Sequence, residues 1–300
     1  MFFQQLINGI TLGAIYALIA LGYTMVYGIL ELINFAHGEV YMIGAYVGIL
    51  TLAFLTAIGF TSISVPLSIL IAFAAAILVC AAYGYSIEKV AYRPLRNAPR
   101  LSPLISALGV SIFLQNYVML TQGASDKVFP HIVSTAGIDL MGARLSFIQV
   151  LIIISATAMM AGLWFFIQKT RLGKAMRATA QDMKMAGLVG INVDRVISAT
   201  FIIGSALAAA AGVMVAMYYG LVNFSIGYMA GMKAFTAAVL GGIGNIPGAM
   251  VGGVILGLVE SFGAGYISSE YKDLFAFAVL VLILIFRPKG ILGQRTAEKV

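Results

Sequence analysis

Few side chains in this sequence could do chemistry, and they are grouped. Glu31, Asn34, His37 and Glu39 fall close together between two long apolar stretches. Ionisable groups at membrane depth are costly and usually serve function, so Asn34, His37 and Glu39 are candidates to line a path or gate for a polar solute. The segment reads equally well as a plain turn, with Asn34 capping the following helix and Glu39 favouring the positive end of its dipole. Gln115 and Asn116 sit in the middle of another apolar run, where amides need protein or water as partners. Hydrogen bonding between helices and a pore-lining role both fit them. Glu260, followed by Ser261, reads as interfacial, near the outer end of its span.

The stretch from about 169 to 195 has a different character. Met176, Ala180, Met183 and Gly187 recur at helical spacing, while Arg177, Gln181 and Lys184 occupy another face. This predicts a short amphipathic helix ending at Gly187 or Gly190. Such a helix could rest on membrane lipids, or dock a soluble partner with Met185, Ala186 and Leu188 as a knob.

The elements that must position these residues follow from composition. Of 300 residues, 61% are hydrophobic and 10% charged, against roughly 45–50% and about 25% in soluble domains. With a mean hydropathy of +1.02, the chain reads as an integral membrane protein. The single cysteine, Cys80, has no partner for a disulfide or a multi-thiolate metal site. The net charge of +7 does not indicate nucleic acid, because 14 of the 18 Lys and Arg lie in three patches, Lys89 to Arg100, Lys169 to Arg195 and Arg287 to Lys299. That clustering belongs to loops on the cytoplasmic side of a membrane.

A crossing needs about 20 apolar residues, and spans at 6–29, 35–57, 65–88, 102–121, 146–168, 196–219, 226–244, 247–266 and 270–287 put all three patches on one side. The fold class is therefore all-α, a polytopic helical membrane protein of eight or nine transmembrane helices, N-terminus outside and C-terminus inside. Glycines and Pro247 between Gly241 and Gly248 predict a re-entrant or broken segment near 232–248. The start of the chain lacks a basic region and cleavage site, so the first segment is expected to remain as a membrane helix. Residues 122–144 read as an outer loop. Glycines repeating every four residues, Gly244 to Gly252, Gly253 to Gly257 and Gly204 to Gly212 by way of Ala208, predict close helix packing.

Enzyme chemistry has little support, because no phosphate-binding GxxxxGKS loop, HExxH, CxxC or paired intramembrane aspartates occur, and no cofactor is implied. An ion-coupled secondary transporter would need acids or broken helices at mid-membrane. Acids here are expected at the ends of spans, which favours a primary-active permease driven by separate ATPases.

The stretch from Leu12 to Gly28 (LGAIYALIALGYTMVYG) and that from Ile33 to Glu39 (INFAHGE) resemble the opening of the high-affinity branched-chain amino acid ABC transporter permeases of the LivH type. Arg177 to Asp182 with Gly190 to Asn192 resembles that family's ATPase-coupling segment. The stretches Ala234 to Gly244, Pro247 to Ala249 and Gly290 to Gly293 match as well, so the similarity covers nearly the whole chain. The resemblance implies a single permease domain over 1–300 that imports leucine, isoleucine or valine across the bacterial cytoplasmic (inner) membrane. Its implied partners are a second permease of the LivM type, two cytoplasmic ABC ATPases and a periplasmic substrate-binding protein. On this reading Arg177, Asp182, Met185, Ala186 and Gly190 couple to the ATPases. Another amino acid, urea or a short amide is the alternative solute.

Overall fold

A computed structural model describes residues 1–96, 98, 99, 101–130, 132, 137–140 and 142–293. Arg100, His131, Arg295 and Lys299, from the charged stretches above, lie outside the described residues. The described helices are α1 (Phe2–Leu30), α2 (His37–Ala57), α3 (Val65–Ile87), α4 (Leu101–Gln122), α5 (Phe147–Lys169), α6 (Arg171–Gln181), α7 (Met183–Leu188), α8 (Val193–Tyr219), α9 (Ile226–Gly241), α10 (Ile246–Tyr266) and α11 (Lys272–Phe286). Seven of them are long and apolar enough to cross a membrane, with α3 continuing as a helical segment to Leu95. The expected nine crossings thus become seven full-length spans plus α9 and α11. These two, 16 and 15 residues long, reach only about 24 and 22 Å at 1.5 Å per residue.

Apolar content and small side chains decide the arrangement. α1 and α8 are buried along most of their length, while α3, α4 and α5 form a largely exposed rim. The run Ala208 to Gly212 makes α8 thin enough for α2 to lie against it, and a Cβ on Gly212 would meet the Tyr41 carbonyl at 2.2 Å. The paired glycines act as expected: Gly253 rests on Ala17, and Gly257 rests on Gly13. Ser64 accepts from the Leu67 N–H at 3.4 Å and starts α3 just before Pro66, which sits in the first turn where its missing N–H costs nothing.

At the end of the bundle expected to face outward, part of the 122–144 loop is ordered as ribbon. β1 (Lys127–Val128) pairs antiparallel with β4 (Leu221–Val222), and β2 (Gly137–Leu140) pairs with β3 (Ala143–Ser146). At the opposite end, expected to face inward, Gly242 and Gly244 take left-handed φ angles of +105° and +89° and end α9. The chain's last described residues then fold back onto it. The Ile291 and Leu292 N–H groups donate to the Leu240 and Gly241 carbonyls at 2.9 and 3.0 Å, and Asn245 Nδ2 donates to the Leu292 carbonyl at 2.5 Å. The break near 232–248 is therefore a tight α9–α10 turn whose free carbonyls are satisfied by the tail, as irregular backbone at such depth requires.

Candidate functional site

The junction of α1 and α2 dips into the bundle. α2 begins beside Gly22 and Tyr23, eight residues before the end of α1, or about 12 Å along the helix. The His37 ring packs edge-on against Tyr23, with centroids 4.8 Å apart. Its Nε2 is buried with no hydrogen-bond partner among the described residues. Glu39 is 1% exposed; its Oε1 accepts from Ser111 on α4 at 3.3 Å, and its Oε2 is likewise unpartnered. That oxygen faces Gly227 of α9, where an added Cβ would lie 2.4 Å from it. Above it runs a cleft of about 20 Å³ lined by Tyr23, Ser111, Gly227, Tyr228 and Gly231. Asn34 is also buried, but its Oδ1 accepts from the Ala36 N–H at 3.2 Å and the Tyr92 hydroxyl at 3.3 Å. Asn34 therefore shapes the turn, and His37 and Glu39 hold the unspent polar atoms.

Gln115 and Asn116 do not join them. Asn116 is exposed on α4 and donates to the Ile112 carbonyl of its own helix at 2.8 Å, and Gln115 is half-buried. One N–H of Asn116 is thus used by its own helix, and its side chain points away from the His37 and Glu39 cluster.

Glu260 is not interfacial. It is 3% exposed, accepts from Lys233 Nζ of α9 at 2.7 Å through Oε1, and accepts from the Tyr16 hydroxyl of α1 at 2.8 Å through Oε2. Lys233 also pairs with Asp273 of α11 at 2.6 Å. Acids therefore do lie within the bundle, and the argument that placed them at span ends fails. Sequence reasoning missed Lys233, although its signal was present: it alone divides the stretch 196–259, otherwise free of Lys, Arg, Asp and Glu. Its partners are 27 and 40 residues away, so no local spacing reveals them.

At the inner end, Glu88 is fully buried. It accepts from Arg93 at 3.0 and 3.2 Å, from Arg96, and from Ser198 of α8 at 2.9 Å, and Arg96 also pairs with Asp194 at 2.5 Å. This network ties the end of α3 to the start of α8, which follows α6 and α7 directly. The 169–195 stretch is two helices, not one, because Asp182 leaves helical geometry and caps α7 through the Lys184 and Met185 N–H groups at 2.9 and 3.0 Å. α6 turns Gly173, Met176 and Thr179 inward, one step from the predicted Met176–Ala180 face; Ala180 is exposed. Arg177 donates to Gln168 Oε1 at 2.6 Å, tying α6 to α5. Ala186 is 3% exposed, whereas Met185, Leu188 and Val189 are 61%, 81% and 77% exposed. The apolar knob is therefore Met185, Leu188 and Val189, with Ala186 as its buried anchor. Gly190, at φ +88°, ends the knob in open space.

Among the described residues no group of three or more His, Cys, Asp or Glu side chains is placed to hold a metal ion. What the arrangement offers is two polar pockets inside an apolar bundle, joined by α9, and a protruding apolar tip below it.

Comparison with known proteins places these features. Residues 5–284 match the family model described as the branched-chain amino acid transport system / permease component. The chain is 54% identical to the high-affinity branched-chain amino acid transport system permease protein BraD of Pseudomonas aeruginosa and to its counterpart LivH of Escherichia coli (strain K12), in each case over 100% of this chain and 98% of the relative. It is 27% identical to the probable branched-chain amino acid transport permease protein LivH of Methanocaldococcus jannaschii, over 92% of this chain and 88% of the relative. No solved structure gives a significant match.

Proposed function

The chain belongs to the family of branched-chain amino acid transport permease components, and from that premise we propose that it is the membrane permease subunit of an ATP-binding-cassette importer for leucine, isoleucine and valine. The identity that runs through its full length carries this reading. The chain is one permease domain in the cytoplasmic (inner) membrane. It pairs with a second permease of the LivM type, two ATPases below it and a substrate-binding protein above, and no chemical step occurs on it.

In this mechanism the ATPases close on ATP and push the Met185, Leu188 and Val189 tip. Ala186 and the Asp182 cap keep that tip rigid, and Arg177 ties α6 to the foot of α5. Movement passes through the Glu88 network to α3 and α8. α9 is the moving wall: on one face its Gly227, Tyr228 and Gly231 line the cleft beside Glu39, while on another its Ile226, Met229, Ala230 and Lys233 line a separate cavity. Small-residue contacts, Gly227 on Gly38 and Gly241 on Gly248, let a short helix slide with little steric resistance. His37 and Glu39 form the inner gate, and the unpartnered carboxylate oxygen is placed to meet a passing ammonium.

The test is uptake of radiolabelled leucine into proteoliposomes carrying the complete complex. Uptake that needs binding protein and hydrolysable ATP supports the importer; uptake by this chain alone on an ion gradient would refute it. Glu39→Gln should lower uptake at least tenfold while the complex still assembles, and unchanged uptake would return Glu39 to a packing role.

A further inference from the structure

Two adjoining cavities of about 160 and 260 Å³ open in the outer half of this chain and share Leu12, Tyr219 and Lys272 as walls. Each has room for more than roughly five waters at about 30 Å³ apiece. The ionic group already described borders both: Glu260 lines the larger cavity, Lys233 and Tyr16 line the smaller, and Asp273 pairs with Lys233 from α11. Two carboxylates thus share one buried ammonium, and Asp273 Oδ1 makes its 2.6 Å ion pair without an aligned hydrogen bond. Lys272 supplies a second cation at the wall common to both cavities. The rest of the smaller cavity is apolar, with Leu12, Ile15, Val215 and Met229 against it. A buried ion group gives little net stability over apolar residues of the same size, so packing alone does not account for it.

We infer that this space is a resting site for one zwitterionic aliphatic amino acid, held within this single chain. The ammonium of the solute sits on Glu260; its carboxylate faces Lys272; its side chain lies on Leu12, Ile15, Val215 and Met229. The inference rests on the importer reading and adds where the solute pauses before the inner gate. One face of α9 carries Met229 and Lys233 of this site and another carries Gly227 of the cleft beside Glu39, so filling the site and opening that cleft are coupled through α9.

The experiment uses the complete complex and a leucine analogue with a diazirine side chain. After illumination, label is expected in peptides containing Leu12 to Tyr16 or Val215 to Tyr219, and excess leucine should compete it away. The double variant Lys233→Met with Glu260→Met, which removes both charges together, is expected to raise KM for leucine at least tenfold. Met229→Trp, which narrows the apolar end and leaves the ions intact, should raise KM by a similar factor and keeps the test open if the double variant fails to assemble. If the unaltered complex imports leucine but label falls only elsewhere, or Met229→Trp leaves KM unchanged, the site is overturned and the importer stands. If the unaltered complex shows no ATP-dependent leucine uptake, the importer reading itself has failed.

Discussion

Gly257→Ala adds one methyl group to the seam between α10 and α1, and the geometry sets its cost. The new Cβ would stand 2.3 Å from the Gly13 nitrogen, 2.4 Å from its Cα and 2.5 Å from the Gly9 carbonyl oxygen. Carbon contacts settle at about 3.5–4.0 Å, so the two helices must part by about 1 Å or more. The opposing atoms are backbone and cannot rotate away. A radial gap of up to 1 Å already forfeits a quarter to a half of each contact's well depth along the seam, and between membrane helices packing of this kind is a main source of association. The expected destabilisation is therefore about 3 kcal/mol, the upper end of the overpacking range. Gly109→Ala is the control: nothing lies within 4 Å of its added Cβ, and the helix gains up to about 1 kcal/mol from the better residue. Thermal unfolding of the detergent-solubilised chain should place Gly257→Ala about 6–16 °C below Gly109→Ala, for a difference of about 3–4 kcal/mol at about 2–4 °C per kcal/mol. Equal melting temperatures would show that the α1–α10 contact is looser than described and would refute the argument.

Other outcomes follow from the same contacts. Glu88→Ala leaves Arg96, whose side chain is 15% exposed, short of its buried partner. Because Arg93 is 35% exposed and can rehydrate, the loss should be about 3 kcal/mol, near the lower end for a broken buried pair, read as earlier unfolding in SDS titration. Leu188→Asp, on an 81% exposed side chain, should leave insertion intact and abolish binding-protein-stimulated ATP hydrolysis; normal stimulation would mean that the tip does not dock the ATPases. Asp182→Ala removes two cap bonds and should cost about 1 kcal/mol, visible as faster hydrogen exchange confined to residues 183–188. Gly227→Val should close the cleft at Glu39, because even a Cβ there meets the Gly38 carbonyl at 2.7 Å; leucine uptake is expected to fall at least tenfold.

Much of this protein was legible in one dimension. Hydrophobic runs fix which segments can enter a membrane because each 20-residue stretch is judged alone against the same solvent, and lysine and arginine patches fix their direction in the same local way. The full-length spans, the small-residue seams and the ordered family motifs all come from such local patterns. What the sequence by itself left undecided was set by side chains meeting across helices. Glu260 looked interfacial because nothing near it in sequence could pair with it; Lys233 lies 27 residues back and Asp273 stands on another helix, so only packing brings the charges together. Asn116 was a candidate to join the polar path beside Asn34 and His37, yet α4 turns it outward on this chain and its amide donates to its own helix. Ala186 looked like part of a docking knob until the helix break at Asp182 rotated it inward and left Leu188 and Val189 outside. Depth was undecided in the same way: the short stretch after Glu31 reads equally well as a plain turn and as a lining of the path, and only the fit of His37 against Gly22 carries Glu39 into the bundle. Hydropathy reports the average surroundings of a segment, whereas a site depends on which single face of a helix meets which neighbour, and that is decided when the helices pack.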